Sequence, residues 1–190
     1  MALPPPPPAA IVIAGGRSSR FGSDKLLAEV EGRTLLQRTM EAVGGCATVV
    51  LVSATNETVP RGVVTVSEFP RWGGPCAGIA AGVAALPETA AETLIVSADL
   101  ARPDRAVAAL HAIASGVLAD QDGNAQWLIA RVPAAALRTQ LAVLDASGGT
   151  AGLPVRALIG HLGLPIVRAH RDAVADIDER HDLERVKERP

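Results

Sequence analysis

Residues 11–25 read Ile11-Val12-Ile13-Ala14-Gly15-Gly16-Arg17-Ser18-Ser19-Arg20-Phe21-Gly22-Ser23-Asp24-Lys25. The first three are apolar and β-branched, the pattern of a strand buried in a core, and the rest is a loop rich in Gly, Ser and basic side chains. Such a strand empties into an anion site. Gly15 and Gly16 let main-chain N–H groups approach a ligand without a Cβ in the way. Ser18 and Ser19 add hydroxyl donors, and Arg17, Arg20 and Lys25 outweigh the charge of Asp24. A polyphosphate suits this loop. Neither common phosphate-loop motif fits, however. Five residues after Gly15 stands Arg20 and five after Gly16 stands Phe21, which excludes G-x-x-x-x-G-K-[ST], and glycines at 15, 16 and 22 do not make G-x-G-x-x-G.

Working outward, the chain has 190 residues, the size of one domain of about 100–200 residues. The expected division is a proline-rich disordered tail over 1–9, carrying the run Pro4 to Pro8, and a single domain over 10–190. At 2% aromatic with no Tyr, the core must come from Val, Ile, Leu and Ala, and single-stranded nucleic acid finds few stacking platforms. A net charge of -2 gives no general attraction to nucleic acid either, so any anion site is local. No run approaches the roughly 20 apolar residues of a membrane span, and no secretory signal is seen, so a cytoplasmic protein without membrane partners is expected. Cys46 and Cys76 read as reduced structural residues, and His111, His161, His170 and His181 form no pair with metal-ligand spacing.

Leu35, Leu36, Thr39, Met40 and Val43 recur at helical spacing, with Thr34 as cap and Gly44-Gly45 as stop. Strands are predicted at Thr48–Val52, Val63–Val66 and Leu94–Ser97, and helices from Pro75 to Leu86 and from Pro103 through Ile113. Val117–Ala119 and Trp127–Arg131 read as strands joined by the turn Asp122-Gly123-Asn124. A helix over Pro133–Leu141, a linker over 146–152, a short helix from Pro154 and a strand at Ile166-Val167 complete the pattern. This alternation predicts an α/β fold, Rossmann-like, with a mostly parallel sheet and helices on both faces. Ligands of such sheets bind beyond the carboxyl ends of the strands, which puts Ala14, Gly15 and Gly16 on the binding edge, with Ser53–Asn56 a candidate for the same edge. Asp99, just past a strand end, faces that edge as a magnesium ligand or caps the next helix. Gly78 and Gly82 are poor helix formers, so they serve either close packing on the sheet or a helix N-terminus offered to a ligand.

The loop Ile-Ala-Gly-Gly-Arg-Ser-Ser-Arg-Phe-Gly-Ser-Asp-Lys resembles the L-A-G-G-x-S-x-R-M-G-x-D-K signature of the molybdenum cofactor guanylyltransferases. The stretch from Gly73 to Val83 is similar to their G-G-P-x-A-G-[IL]-x-A-G-[LMV], Ser-Ala-Asp-Leu-Ala-Arg-Pro to their metal-binding Asp segment, Gln126-Trp127-Leu128 to their Q-W-L, and Ala175 to Leu183 to their D-I-D-T-P-E-D-L ending. The Pro after Asp99 arrives late, as Pro103, and Arg180 and His181 replace the Pro-bearing turn. The resemblance implies a nucleotide-diphospho-sugar transferase-like fold and transfer of GMP from GTP to the terminal phosphate of molybdopterin, releasing pyrophosphate. It assigns catalysis to Arg20, Lys25 and Asp99, and Mg2+ to Asp99 with Asp176 or Asp178. Nucleotide binding is expected from Ile13, Ala14, Gly15, Gly16, Ser18, Ser19, Ser53, Glu68, Gly74, Pro75 and Gly78. Other molybdenum cofactor biosynthesis proteins are the implied partners, and the oligomeric state is left open. The rivals are a cytidylyl or other nucleotidyl transferase with a different phosphorylated acceptor, against which Ala14-Gly15-Gly16 speaks, and a non-catalytic GTP-binding module. For Asp176 and Asp178, a competing role is acidic charge at a helix N-terminus.

Overall fold

The computed structural model describes residues 6–15, 25–53, 59–177 and 181–182. In chain order its elements are β1 (Ala9–Ile13), a 3-10 turn at Lys25–Leu27, β2 (Glu29–Val30), β3 (Arg33–Thr34), α1 (Leu35–Ala42), β4 (Val49–Val52) and β5 (Val64–Val66). Then come α2 (Pro75–Ala84), β6 (Glu92–Ser97), α3 (Pro103–His111), β7 (Gly116–Ala119), β8 (Ala125–Pro133), α4 (Ala134–Ala146), α5 (Val155–Ile159), β9 (Ile166–Arg168) and α6 (Arg171–Val174).

Seven strands form one sheet in the order β5-β4-β1-β6-β8-β7-β9. β1 is buried at every residue and pairs in parallel with β4 on one side and β6 on the other. A strand covered on both faces has no polar side, which is why it reads as a continuous apolar run. β8 alone runs against its neighbours β6 and β7, and β9 returns parallel to β7.

Alternate residues of β1 feed two cores. Ile11 and Ile13 pack with Ile79 and Val83 of α2, Leu137 and Leu141 of α4, and Leu158 of α5. On the opposite face Ala10 and Val12 pack with Leu36 and Met40 of α1, Val107 and Leu110 of α3, and Val174 of α6. Helices therefore cover both faces, as the alternating signals predict.

Local chemistry sets the element ends. Thr34 Oγ1 accepts from the Gln37 N–H at 3.1 Å while Gln37 Oε1 accepts from the Thr34 N–H at 2.9 Å, a reciprocal box that starts α1. α2 begins at Pro75, whose missing N–H removes no helical bond there. Gly82 is explained by packing: a methyl on it would lie 2.6 Å from Ile11 Cγ2, so α2 rests directly on β1. Alanine at that position would destabilise by about 1–3 kcal/mol through overpacking.

Several boundaries differ from expectation. α2 and α3 end two residues earlier than expected and β8 runs two residues further at each end. The ordered domain starts before residue 10, because Ala9 lies in β1 and the Pro8 carbonyl accepts from the Ala47 N–H at 2.9 Å. α4 runs on to Ala146, taking the first residue assigned to the linker. The hairpin of β2 and β3 was not expected; its signal is the Glu31-Gly32 dipeptide, whose φ values of 55° and 76° suit a two-residue turn.

Candidate active site

Four parallel strands, β5, β4, β1 and β6, end on one rim, and the predicted site residues within the described chain gather there. Gly16, Ser18, Ser19, Arg20 and Asp178 lie outside the described residues.

One cavity, about 390 Å³, opens over β1, β4 and β5. Ile13, Gly15, Val52, Glu68, Gly74, Pro75 and Gly78 line it together with Trp72. Each arrives by a local rule. Ile13 and Gly15 end β1, Glu68 follows β5, and Gly74 at φ 86° turns the chain into α2, whose first-turn N–H groups lack helical partners. A methyl on Gly78 would meet Val52 Cγ1 at 3.4 Å and Ile13 Cδ1 at 3.7 Å, ordinary contact, so packing on the sheet does not by itself require glycine there. Thus Gly82 serves packing, whereas Gly78 lines the cavity.

Glu68 is the one acidic side chain among the described residues lining this cavity, and it is 9% exposed. A methyl on Gly15 would lie 3.7 Å from Glu68 Oε2, which places the carboxylate against the glycine loop. An ionised carboxylate only accepts hydrogen bonds, so this wall asks for N–H donors from whatever fills the cavity.

Ala14 and Ser53 sit just behind the wall. The Ala14 N–H bonds the Val52 carbonyl at 2.9 Å, and Ala14 packs into the core. Ser53 is 1% exposed, its N–H bonds the Val66 carbonyl, and its own carbonyl accepts from Ser67 Oγ at 2.7 Å. Both fix the strand ends, and neither is among the residues lining the cavity.

A second cavity, about 500 Å³, opens over β6 and β8. Because Val96 pairs with Ile129 in an antiparallel register, residues 125–127 extend past the end of β6. Gln126, Trp127 and Leu128 line this cavity together with Asp99 and with Arg156 of α5. Trp127 is half-buried, packs against the core and beside Gly160, and also lines this cavity.

Asp99 does not cap α3, whose first turn has no side-chain cap. Instead its Oδ1 accepts from Ser97 Oγ at 2.6 Å and its Oδ2 meets Lys25 Nζ at 2.8 Å. Asp176 is delivered beside it by main-chain pairing: Leu100 bridges Asp176, and the Ile177 N–H bonds the Asp99 carbonyl at 2.9 Å. Both carboxylates line the second cavity. Among the described residues no three His, Cys, Asp or Glu side chains group to hold a metal unaided. Magnesium needs less, typically one or two carboxylates with substrate phosphates completing its oxygen shell, so this donor pair fits it.

Neither thiol offers a nucleophile. Burial pushes Cys46 up to about 11 and raises Cys76 as well, so both stay protonated near neutral pH.

The sequence pattern missed Trp72, Ser97 and Arg156 as site residues. Ser97 was legible in principle as the last residue of a buried strand two before an Asp; Arg156 carries no local signal.

A parallel α/β sheet with a glycine loop, a helix N-terminus and a Lys–Asp pair on its carboxyl rim defines a nucleotidyltransferase-type domain. Residues 10–175 match the MobA-like NTP transferase domain, and the chain belongs to that family. No curated protein matches the sequence. Among solved structures, the chain is similar to molybdopterin-guanine dinucleotide biosynthesis protein A from Archaeoglobus fulgidus, at 16% identity and TM-score 0.66 over 95% of this chain and 97% of that one. It is similar too to 2-C-methyl-D-erythritol 4-phosphate cytidylyltransferase from Thermus thermophilus, at 17% identity and TM-score 0.63 over 96% and 98%. The same enzyme from Francisella tularensis gives 12% identity and TM-score 0.68 over 94% and 97%. These likenesses establish the fold. Among the described residues, no helix is long and apolar enough to cross a membrane.

Proposed function

We propose that the protein transfers GMP from GTP to the terminal phosphate of a molybdopterin-type acceptor, releasing pyrophosphate. The observation that carries the nucleotide choice is Glu68, a buried carboxylate on the wall of the first cavity. Guanine presents two adjacent donors, N1–H and the 2-amino group, to such an acceptor. Cytosine sets an acceptor beside its single amino donor and is repelled. The family and the Archaeoglobus likeness support the acceptor class.

In this reading an oxygen of the acceptor phosphate attacks the α-phosphorus of GTP, and the bond to the β-phosphate oxygen breaks. No general base is needed, because the attacking oxygen is already ionised near neutral pH. The work is bringing two anions together. Gly15 and Gly16 offer main-chain N–H groups to the phosphates, and Arg20 and Lys25 neutralise charge on the leaving pyrophosphate. Ser97 and Lys25 hold Asp99 from two sides, so that its carboxylate keeps one orientation on the wall of the second cavity. Asp99 with Asp176 or Asp178 would hold Mg2+, which when bound supplies further charge neutralisation to phosphate oxygens. Gln126, Trp127, Leu128 and Arg156 would receive the acceptor, with Arg156 matched to its phosphate.

The deciding experiment is pyrophosphate release with Mg2+, comparing GTP and CTP, each with and without molybdopterin. Release with GTP and molybdopterin alone supports the reading down to its acceptor. Release with CTP transfers it to the cytidylyl branch, which the two cytidylyltransferase likenesses keep in view. No release from protein that binds GTP assigns it another acceptor or a non-catalytic role.

A further inference from the structure

Trp72 stands on the wall of the first cavity and is 48% exposed. It belongs to none of the apolar clusters of the core. Its backbone is unusual for so large a residue. The Gly73 N–H bonds the Pro70 carbonyl at 2.8 Å, closing a four-residue turn in which Trp72 holds the third position with φ 67°. That position demands the left-handed region, which Gly or Asn occupies readily and a bulky L residue does not.

The turn is also fixed in place. A methyl on Gly73 would lie 2.8 Å from the Pro70 carbonyl oxygen and 2.9 Å from Ala77 Cβ, so the turn is packed against the start of α2. The Arg71 guanidinium lies over the indole, 5.3 Å from the ring centroid, and steadies it at the rim. An indole held on a ligand cavity by a strained turn, outside the core, points to a job at the ligand; strain of this kind persists at binding sites where the surroundings enforce it.

We propose that Trp72 stacks on the base of the bound nucleotide and is a specificity-determining residue that favours purines. Its two-ring face overlaps a purine more fully than a pyrimidine, and stacking complements the edge contact offered by Glu68. This rests on the reading of the same cavity as a nucleotide site.

The chain has two tryptophans, so Trp127→Phe leaves Trp72 as the only indole reporter. With Mg2+ present, GTP is expected to quench the emission of that variant strongly and CTP weakly. In an otherwise wild-type chain, Trp72→Gly is expected to weaken GTP binding on the order of tenfold, as loss of a base-stacking platform does, and to weaken CTP binding less. Trp72→Phe should keep most of the affinity. The melting temperature supplies the contrast: Trp72→Gly relieves the turn, so its Tm should equal or exceed that of the parent while its affinity falls. A purely structural tryptophan would show the reverse. If the unaltered protein binds GTP, yet Trp72→Gly binds it equally well and the lone Trp72 does not respond, the proposal is overturned and the nucleotide reading stands. If the unaltered protein binds no nucleoside triphosphate, the reading of the cavity falls and this proposal falls with it.

Discussion

The cavity over β1, β4 and β5 is walled by Gly15, Gly74 and Gly78 with one buried carboxylate, whereas the cavity over β6 and β8 is walled by Trp127, Leu128 and Arg156 with two carboxylates. The first is made by removing side chains so that backbone and helix end can approach a ligand. The second is made by displacing a strand, since the antiparallel register of β8 carries three residues past the end of β6. The Lys25–Asp99 pair stands at the second through Asp99, and the Gly152 N–H, 2.8 Å from the Gly73 carbonyl, ties the rim turn of the first to the segment that opens α5 in the second. Backbone-built sites are narrow in what they accept, while side-chain-built sites change freely with substitution. On this scaffold the nucleotide side is therefore expected to be the constrained one and the acceptor side the adaptable one.

The largest expected effect is at the Lys25–Asp99 pair. Lys25→Ala and Asp99→Ala are each expected to lower kcat by about 100- to 1000-fold, the scale of losing one preorganised charge contact to the transition state. Circular dichroism should show both folded. Folded variants of unchanged turnover would remove the pair from the chemistry. Next in size is Glu68→Gln. The amide replaces one acceptor by a donor, so kcat/KM with GTP should drop by about tenfold or more while that with CTP holds or rises. An equal loss for both nucleotides would mean that Glu68 supports the wall without reading a base edge. Smaller again, Arg156→Ala should raise the acceptor KM by about tenfold, as loss of a charge-assisted hydrogen bond does, and leave the Kd for GTP unchanged. A matching rise in the GTP Kd would merge the two cavities into one site.

The same difference explains what the sequence made legible. Glycines at 15, 74 and 78 announce a backbone-built wall because only small residues permit it, and Asp99 announces itself by following a buried strand. The helix assignments rest likewise on local periodicity and on the Thr34 cap. Glu68 has no comparable local mark and entered through the family resemblance. The second cavity depends on which residue of β8 pairs with Val96, a long-range register that no short window contains. Arg156 reaches it from a helix of five residues, too short for a period to reveal. Trp72 was hidden for another reason: its strained φ comes from the turn closed by Pro70 and Gly73, and the residue itself argues against such a turn.

The smallest expected effect sharpens the comparison by testing what holds the overhang. Asp120 closes the turn between β7 and β8: Oδ1 accepts from the Asp122 and Asn124 N–H groups at 2.9 and 2.8 Å, and Oδ2 accepts from Asn124 Nδ2 at 2.8 Å. The Asn124 side-chain and backbone contacts hold its carboxyl below the ordinary carboxylate value. A group whose folded pKa is depressed stabilises the fold above its unfolded value, about 3.9 for Asp, and loses that contribution as pH falls through the folded value. Asp120→Ala should therefore lower Tm modestly at pH 7, and the gap from the parent should close as the melts are carried into acid below pH 4. A gap that stayed constant into acid would assign the turn's stability to packing instead of to the carboxylate. Because residues 125–128 leave this turn to line the second cavity, the variant should raise the acceptor KM slightly at pH 7 while the Kd for GTP stays fixed. A shift in GTP affinity would show that the nucleotide wall also depends on the β7–β8 turn, and the two cavities would no longer be separable by register.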